Sequence, residues 1–168
     1  LGLDTYAGKM VVAEFSDPNP FKVLHVGHLY TSIVGDSISR LMELAGARVV
    51  RANFGGDVGM HVAKTISAAI GRKYTPEDLT VERLAECYVE GTRAYDEDEQ
   101  TRRAIVAINK EIYEINAEDL HGGELRDLYW RGRELSYEYF KDFYAQIGVT
   151  FDKFYPESSV AGRGLSEV

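Results

Sequence analysis

With 168 residues, 45% of them hydrophobic and 27% charged, the chain can bury one sizeable core and has the composition of a soluble globular domain. No apolar run approaches the roughly 20 residues that span a bilayer, and no basic-then-apolar leader stands at the start, so no membrane partner and a cytoplasmic location are expected. A single cysteine, Cys87, excludes an internal disulfide, and a net charge of −8 argues against a surface that holds phosphate backbones over long range.

Lys9 to Phe15, KMVVAEF, is a short β-branched run and reads as a strand. Pro18 and Pro20 open the loop that follows, from Ser16 to Leu24. From His25 to Leu44, apolar residues recur at helical spacing (Val26, Leu29, Ile33, Val34, Ile38, Leu41, Met42), and Gly46 supplies a stop. Arg48 to Phe54, RVVRANF, is a second strand. GGDVG, Gly55 to Gly59, is a tight turn before a helix predicted from Met60 to Ile70, and Asp57 is read as a cap for that helix, with a ligand contact as the other reading. Strand, long helix, strand is a βαβ unit with parallel strands. Beyond Gly71 the chain changes character. YTPEDLT has the look of a helix start, and residues 81–147 read as mostly helix, punctuated by DEDEQ and HGGE. The aromatic-rich stretch 129–144 reads as packing, since the acids around it argue against an RNA-stacking platform. Gly148 ends the last helix, and VTFDKFY is extended. The expected fold class is α/β. Within 1–168, residues 9–71 would form the nucleotide-binding βαβ half, 72–147 a helical insertion, and 148–168 a return toward the core.

SDPNPFKVLHVGHL, Ser16 to Leu29, stands where open α/β sheets bind ligands: beyond a strand's carboxyl end, where a helix begins. A helix N-terminus offers unpaired N–H groups and partial positive charge, which favour a phosphate. His25 and His28, three residues apart, share a helix face and suit the charge that develops on a phosphate under attack. Gly27 leaves room for a flat base against the backbone, and Lys22 adds a point charge. Phosphate plus base points to a nucleotide, with ATP foremost. Glu14, a carboxylate at a strand end, suits a cationic substrate such as a guanidinium. The same His-x-x-His spacing also permits a metal. A third ligand would have to come from His61, His121, Cys87 or scattered acids, and no metal site is assigned.

HVGH, His25 to His28, resembles the HIGH signature of class I aminoacyl-tRNA synthetases. The likeness extends to EFSDPNPFKVLHVGHL, which resembles the arginyl-tRNA synthetase form of that signature. Glu14, Phe15, Ser16, Pro18, Asn19, Lys22, His25, Gly27 and His28 stand at that family's spacing. GGDVG is similar to its Gly-Asp-Trp-Gly, and IGVTFDKFYPES, Ile147 to Ser158, to its Leu-Gly-Val-x-Phe-Asp…Glu-Ser segment. The resemblance implies the N-terminal half of a Rossmann-like catalytic core. It also implies ATP, accompanied by Mg2+, as cosubstrate, and L-arginine and tRNA(Arg) as partners, the tRNA held mainly by parts outside this chain. The implied reaction is activation of arginine to arginyl-adenylate and its transfer to tRNA(Arg). By the same resemblance His25, His28 and Lys22 are catalytic, and His25, Gly27, His28 and Lys22 bind ATP. Glu14, Ser16, Asn19 and His28 bind arginine.

Departures from that pattern are visible. Asp17 stands for the family's second serine, Pro20 for an aliphatic residue and Val58 for a tryptophan, and no Lys-Met-Ser-Lys-Ser-like loop follows Ser159. A piece of a longer catalytic domain is therefore expected, inactive by itself. Two other readings stay open: another class I synthetase or related nucleotidyltransferase, and a nucleotide-binding module without catalysis.

Overall fold

Three parallel strands form one sheet in the order β1 (Met10–Glu14), β2 (Arg48–Gly55), β3 (Lys153–Pro156). The computed structural model describes residues 3–166. Glu14 pairs with Ala52, and Gly55 with Pro156, so all three carboxyl ends lie at one end of the sheet. Parallel neighbours need a crossover. Helix α1 (Val26–Leu44) supplies it between β1 and β2. Helices α2 (Met60–Gly71), α3 (Val81–Glu97), α4 (Glu99–Glu118) and α5 (Glu124–Ile147) separate β2 from β3, and α6 (Glu157–Ser166) follows. The fold is α/β, as expected.

The helical stretch breaks where the sequence provides the means. Asp98 ends α3 and caps α4, its carboxylate accepting from the Thr101 N–H at 2.6 Å. Asp119 closes α4 in the left-handed region, and Gly148 closes α5 the same way. The main core lies among α2 to α5, where Ile66, Leu84, Ile105, Ile112 and Leu128 are fully or almost fully buried. Each such side chain contributes roughly 1.5–3 kcal/mol. Gly91 on α3 lies directly against the backbone carbonyl of Lys64 on α2, a position where any Cβ would collide. A second cluster, Phe15, Phe140, Tyr144 and Val149, fastens the end of β1 to α5.

Helix α1 lies where its periodicity places it, yet its apolar stripe faces outward. Its buried residues are Ser32 and Ser39, while Ile33, Ile38 and Leu41 are 50%, 48% and 62% exposed. Small residues occupy the sheet side. The Phe15 ring sits in the space a Gly35 side chain would need. The Ser32 and Ser39 hydroxyls donate to the carbonyls of His28 and Gly35 four residues back, at 2.7 and 2.8 Å. Their polarity is satisfied within the helix, so burying them costs little.

Candidate active site

The mouth of α1 is built by its two histidines. His25 is the N-cap; its Nδ1 accepts from the Gly27 N–H at 3.0 Å, and His28 Nδ1 accepts from the His25 N–H at 3.2 Å. This is a reciprocal capping box made of imidazoles rather than hydroxyl and carboxylate. It has a chemical consequence. A backbone N–H can only donate, so each Nδ1 must present a lone pair, and each neutral ring carries its proton on Nε2. The caps thus leave both Nε2–H groups free as donors, on rings 4.1 Å apart. Burial, then the His25 ring and Lys22, hold the His28 pKa below the ordinary imidazole value. A Cβ at Gly27 would come within 2.8 Å of the His25 ring, so the capping geometry itself favours glycine there.

The loop between β1 and α1 is held in an unfavourable backbone. Ser16, Asp17 and Phe21 have φ of 74°, 45° and 66°. Three non-glycine residues in the left-handed region within six positions need outside support. Asp17 accepts from the Phe54 N–H at 2.8 Å, and Asn53 Nδ2 donates to the Phe15 carbonyl at 3.1 Å. The Phe21 N–H donates to Ser136 Oγ at 2.9 Å. The Ser16 hydroxyl lies 2.8 Å from the Tyr144 hydroxyl and at the same distance from that of Ser32, whose own proton is committed to the His28 carbonyl. Strand β2 and helices α1 and α5 therefore clamp the loop. Asp17 is tied to β2, and burial raises its pKa.

The candidate residues fall into four places. His25, Gly27 and His28 form the helix mouth. Lys22 extends its ammonium over the Tyr88 ring on α3, 4.7 Å from the centroid. Glu14 and Ser16 line a cleft of about 360 Å3 between the end of β1 and α1, together with Tyr30, Thr31 and Val34. Asn19 does not line that cleft. It faces Gly56 at the end of β2, where an added Cβ would strike its amide oxygen and approach the Glu157 carboxylate.

Asp57 does not cap α2, contrary to expectation. The N-cap of α2 is Gly59, without a side-chain bond. Asp57 is fully buried at the end of β2 and points the other way. Its carboxylate accepts from Arg133 Nε at 2.6 Å, Ser158 Oγ at 2.6 Å and the Ser158 N–H at 2.9 Å, so it caps α6 and anchors α5. Tyr129 donates to its carbonyl at 3.2 Å. His61, opposite, bonds through Nε2 to the Gly56 carbonyl at 2.9 Å, and burial together with Lys22 lowers its pKa to about 4. It is neutral near pH 7, with Nε2–H as the donor. Sequence reading left Asp57, Arg133, Tyr88 and Tyr144 without these roles. The partners of Asp57 are 76 and 101 positions away, and no local spacing announces them. As for a third metal ligand, His121 stacks on Trp130 with centroids 5.0 Å apart and Cys87 is buried. Among the described residues no three His, Cys, Asp or Glu side chains gather as a metal site.

Comparison with known proteins bears on the family and the fold. Residues 2–161 match the family model described as tRNA synthetases class I (R), catalytic domain. The arginine–tRNA ligase of Bdellovibrio bacteriovorus is 34% identical over 151 residues, covering 88% of this chain and 26% of that protein. That of Treponema denticola is 30% identical over 174 residues, covering 96% and 28%. Arginyl-tRNA synthetase from Thermus thermophilus superposes with a TM-score of 0.68 at 24% identity, over 99% of this chain and 26% of that one. The enzyme from Plasmodium falciparum gives 0.65 at 24%, over 96% and 27%. These two share the fold. The chain spans between a quarter and a third of the length of the relatives it matches. With a matching model over nearly its whole length, on a parallel sheet whose first helix opens with His-x-Gly-His, the chain belongs to the class I tRNA synthetases (R), within their catalytic domain.

Proposed function

We propose that this chain carries the histidine half of the ATP and arginine site of an arginine–tRNA ligase. The observation that carries this reading is the imidazole capping box, which leaves two Nε2–H donors at a helix N-terminus. In the first step the carboxylate oxygen of L-arginine attacks the α-phosphorus of ATP. The bond from that phosphorus to the bridging oxygen breaks, and pyrophosphate leaves with the electron pair. Charge grows on the phosphate oxygens, and His25, His28 and the α1 N-terminus meet it with donors already in place. Lys22 neutralises phosphate charge, and Gly27 receives the base. Glu14 meets the cationic substrate, with Ser16 and Asn19 at its amino and carboxylate end. In the second step a terminal ribose hydroxyl of tRNA(Arg) takes the arginyl group and AMP departs.

Mg2+, when bound with ATP, supplies further charge neutralisation on the triphosphate. The residues present fit an ion that arrives on phosphates rather than one held in a protein cage. Residues 9–71 act as the nucleotide-binding half, and the helices that follow brace it. The net charge of −8 suits a part of the enzyme that makes little of the tRNA contact. No helix of the described residues is long and apolar enough to cross a membrane, and a cytoplasmic place suits the substrates.

The test is calorimetric titration of the chain with ATP, then with arginine, lysine and citrulline. Binding of ATP, and of arginine in preference to citrulline, is expected. ATP binding with no amino acid preference removes arginine from this half of the site. No binding of either removes the half-site altogether.

A further inference from the structure

We propose that Tyr88 is the positioning residue for Lys22, and that it brings helix α3 into the phosphate-binding part of the site. The inference rests on the ATP reading above. Its starting point is an asymmetry in how the cations of this acidic chain are held. Among the described residues every ion pair uses an arginine or a histidine, and none involves Lys22. The Lys22 ammonium is instead held over an aromatic face, 4.7 Å from the Tyr88 centroid. The two kinds of partner differ in what they leave behind. A carboxylate neutralises the ammonium and competes with an incoming phosphate. A ring attracts the cation through its quadrupole and leaves the full positive charge in place. That charge is felt by its neighbours: burial is the main reason the pKa values of His28 on α1 and His61 on α2 are low, and Lys22 adds to it in both.

The backbone beneath Lys22 is already immobilised. Phe21 is fully buried, stacked on Tyr129 and closely packed on Gly132, with its N–H bonded to Ser136. What remains free at Lys22 is its long side chain, among the most entropically costly to order. Tyr88 orders it before substrate arrives. The phenol oxygen of Tyr88 has no part in this; the ring face has.

The test is ATP binding, in the presence of Mg2+, by the chain and its variants. Tyr88→Phe should bind ATP like the unsubstituted chain. Tyr88→Leu should bind roughly two- to fivefold more weakly, the size of a partly exposed cation–π contact. Tyr88→Glu should bind more weakly still, because it neutralises Lys22. On a Lys22→Met background, Tyr88→Leu should change nothing further, which separates positioning from a general structural loss. Tyr88→Leu binding as well as or better than the unsubstituted chain overturns the proposal. So does Tyr88→Phe losing as much as Tyr88→Leu, or a loss that persists without Lys22. If the unsubstituted chain binds no ATP, the ATP reading falls and the proposal with it; ATP binding indifferent to Tyr88 overturns the proposal alone.

Discussion

Replacing Asp57 probes the joint between the sheet and the helices that brace the site. Its carboxylate is fully buried and takes three short bonds, from the Arg133 guanidinium and from the hydroxyl and N–H of Ser158. Asp57→Ala leaves the Arg133 side chain, only 24% exposed, facing a hole, and strips the start of α6 of its cap. Orphaning one member of a buried pair costs about 3–5 kcal/mol, and a lost helix cap about 1 kcal/mol. Arg133 keeps some access to water, so the lower end applies, about 3–4 kcal/mol in total. With a urea slope near 2 kcal/mol/M, the unfolding midpoint should fall by roughly 1.5–2 M. Asp57→Asn keeps one acceptor and should cost about half as much. The pair should also be coupled: Asp57→Asn with Arg133→Met should cost less than the two single changes added. A loss below about 1 kcal/mol for Asp57→Ala, or strict additivity in the double variant, would refute the hub.

Four further outcomes are expected. His61 is held near pKa 4 when folded, against about 6.5 unfolded, so the unfolded chain binds the proton first. Stability should therefore fall by up to about 3 kcal/mol as pH drops from 6.5 to 4. His61→Gln, which keeps a donor for the Gly56 carbonyl, should flatten that limb, and an unchanged slope counts against it. Gly91→Ala should cost at least about 2 kcal/mol in urea unfolding, because backbone carbonyl stands where the new methyl must go; near-native stability would mean α2 and α3 lie further apart. Ile38→Lys and Leu41→Lys, at positions already 48% and 62% exposed, should each change stability by less than about 0.5 kcal/mol, and a loss above 2 would show that face to be covered. Glu14→Gln should weaken arginine binding in calorimetry while leaving ATP affinity unchanged; equal arginine affinity returns Glu14 to a structural role.

Much of the site was legible because its chemistry is local. The strand run from Lys9 to Phe15, the Pro18 and Pro20 loop and the His25–His28 spacing each declare themselves within a few residues. Helix α1 begins where the histidines cap it, and α4 begins where Asp98 does. The apolar periodicity of α1 was a true sign of helix and a poor guide to which side is buried. Period alone cannot tell a core face from a face left open, and here Ser32, Gly35 and Ser39 take the sheet side. Asp57 failed for a related reason. An aspartate just before a helix usually caps it, but burial and a guanidinium on α5 offered this one stronger partners.

The sequence by itself determined the order of elements, their main punctuation and the two histidines that cap the first helix. All of these rest on hydrogen bonds and side-chain contacts reaching no further than about one helical turn, and spacing encodes such contacts directly. Only the tertiary structure decided that Lys22 rests on Tyr88, that Asp57 joins α5 to α6, and that Ser16 is bound to Tyr144. Those pairs are separated by 66 to 128 positions. Their partners were chosen by the closure of the whole chain around its core, where a buried polar group must take whichever donor or acceptor the packing brings within reach.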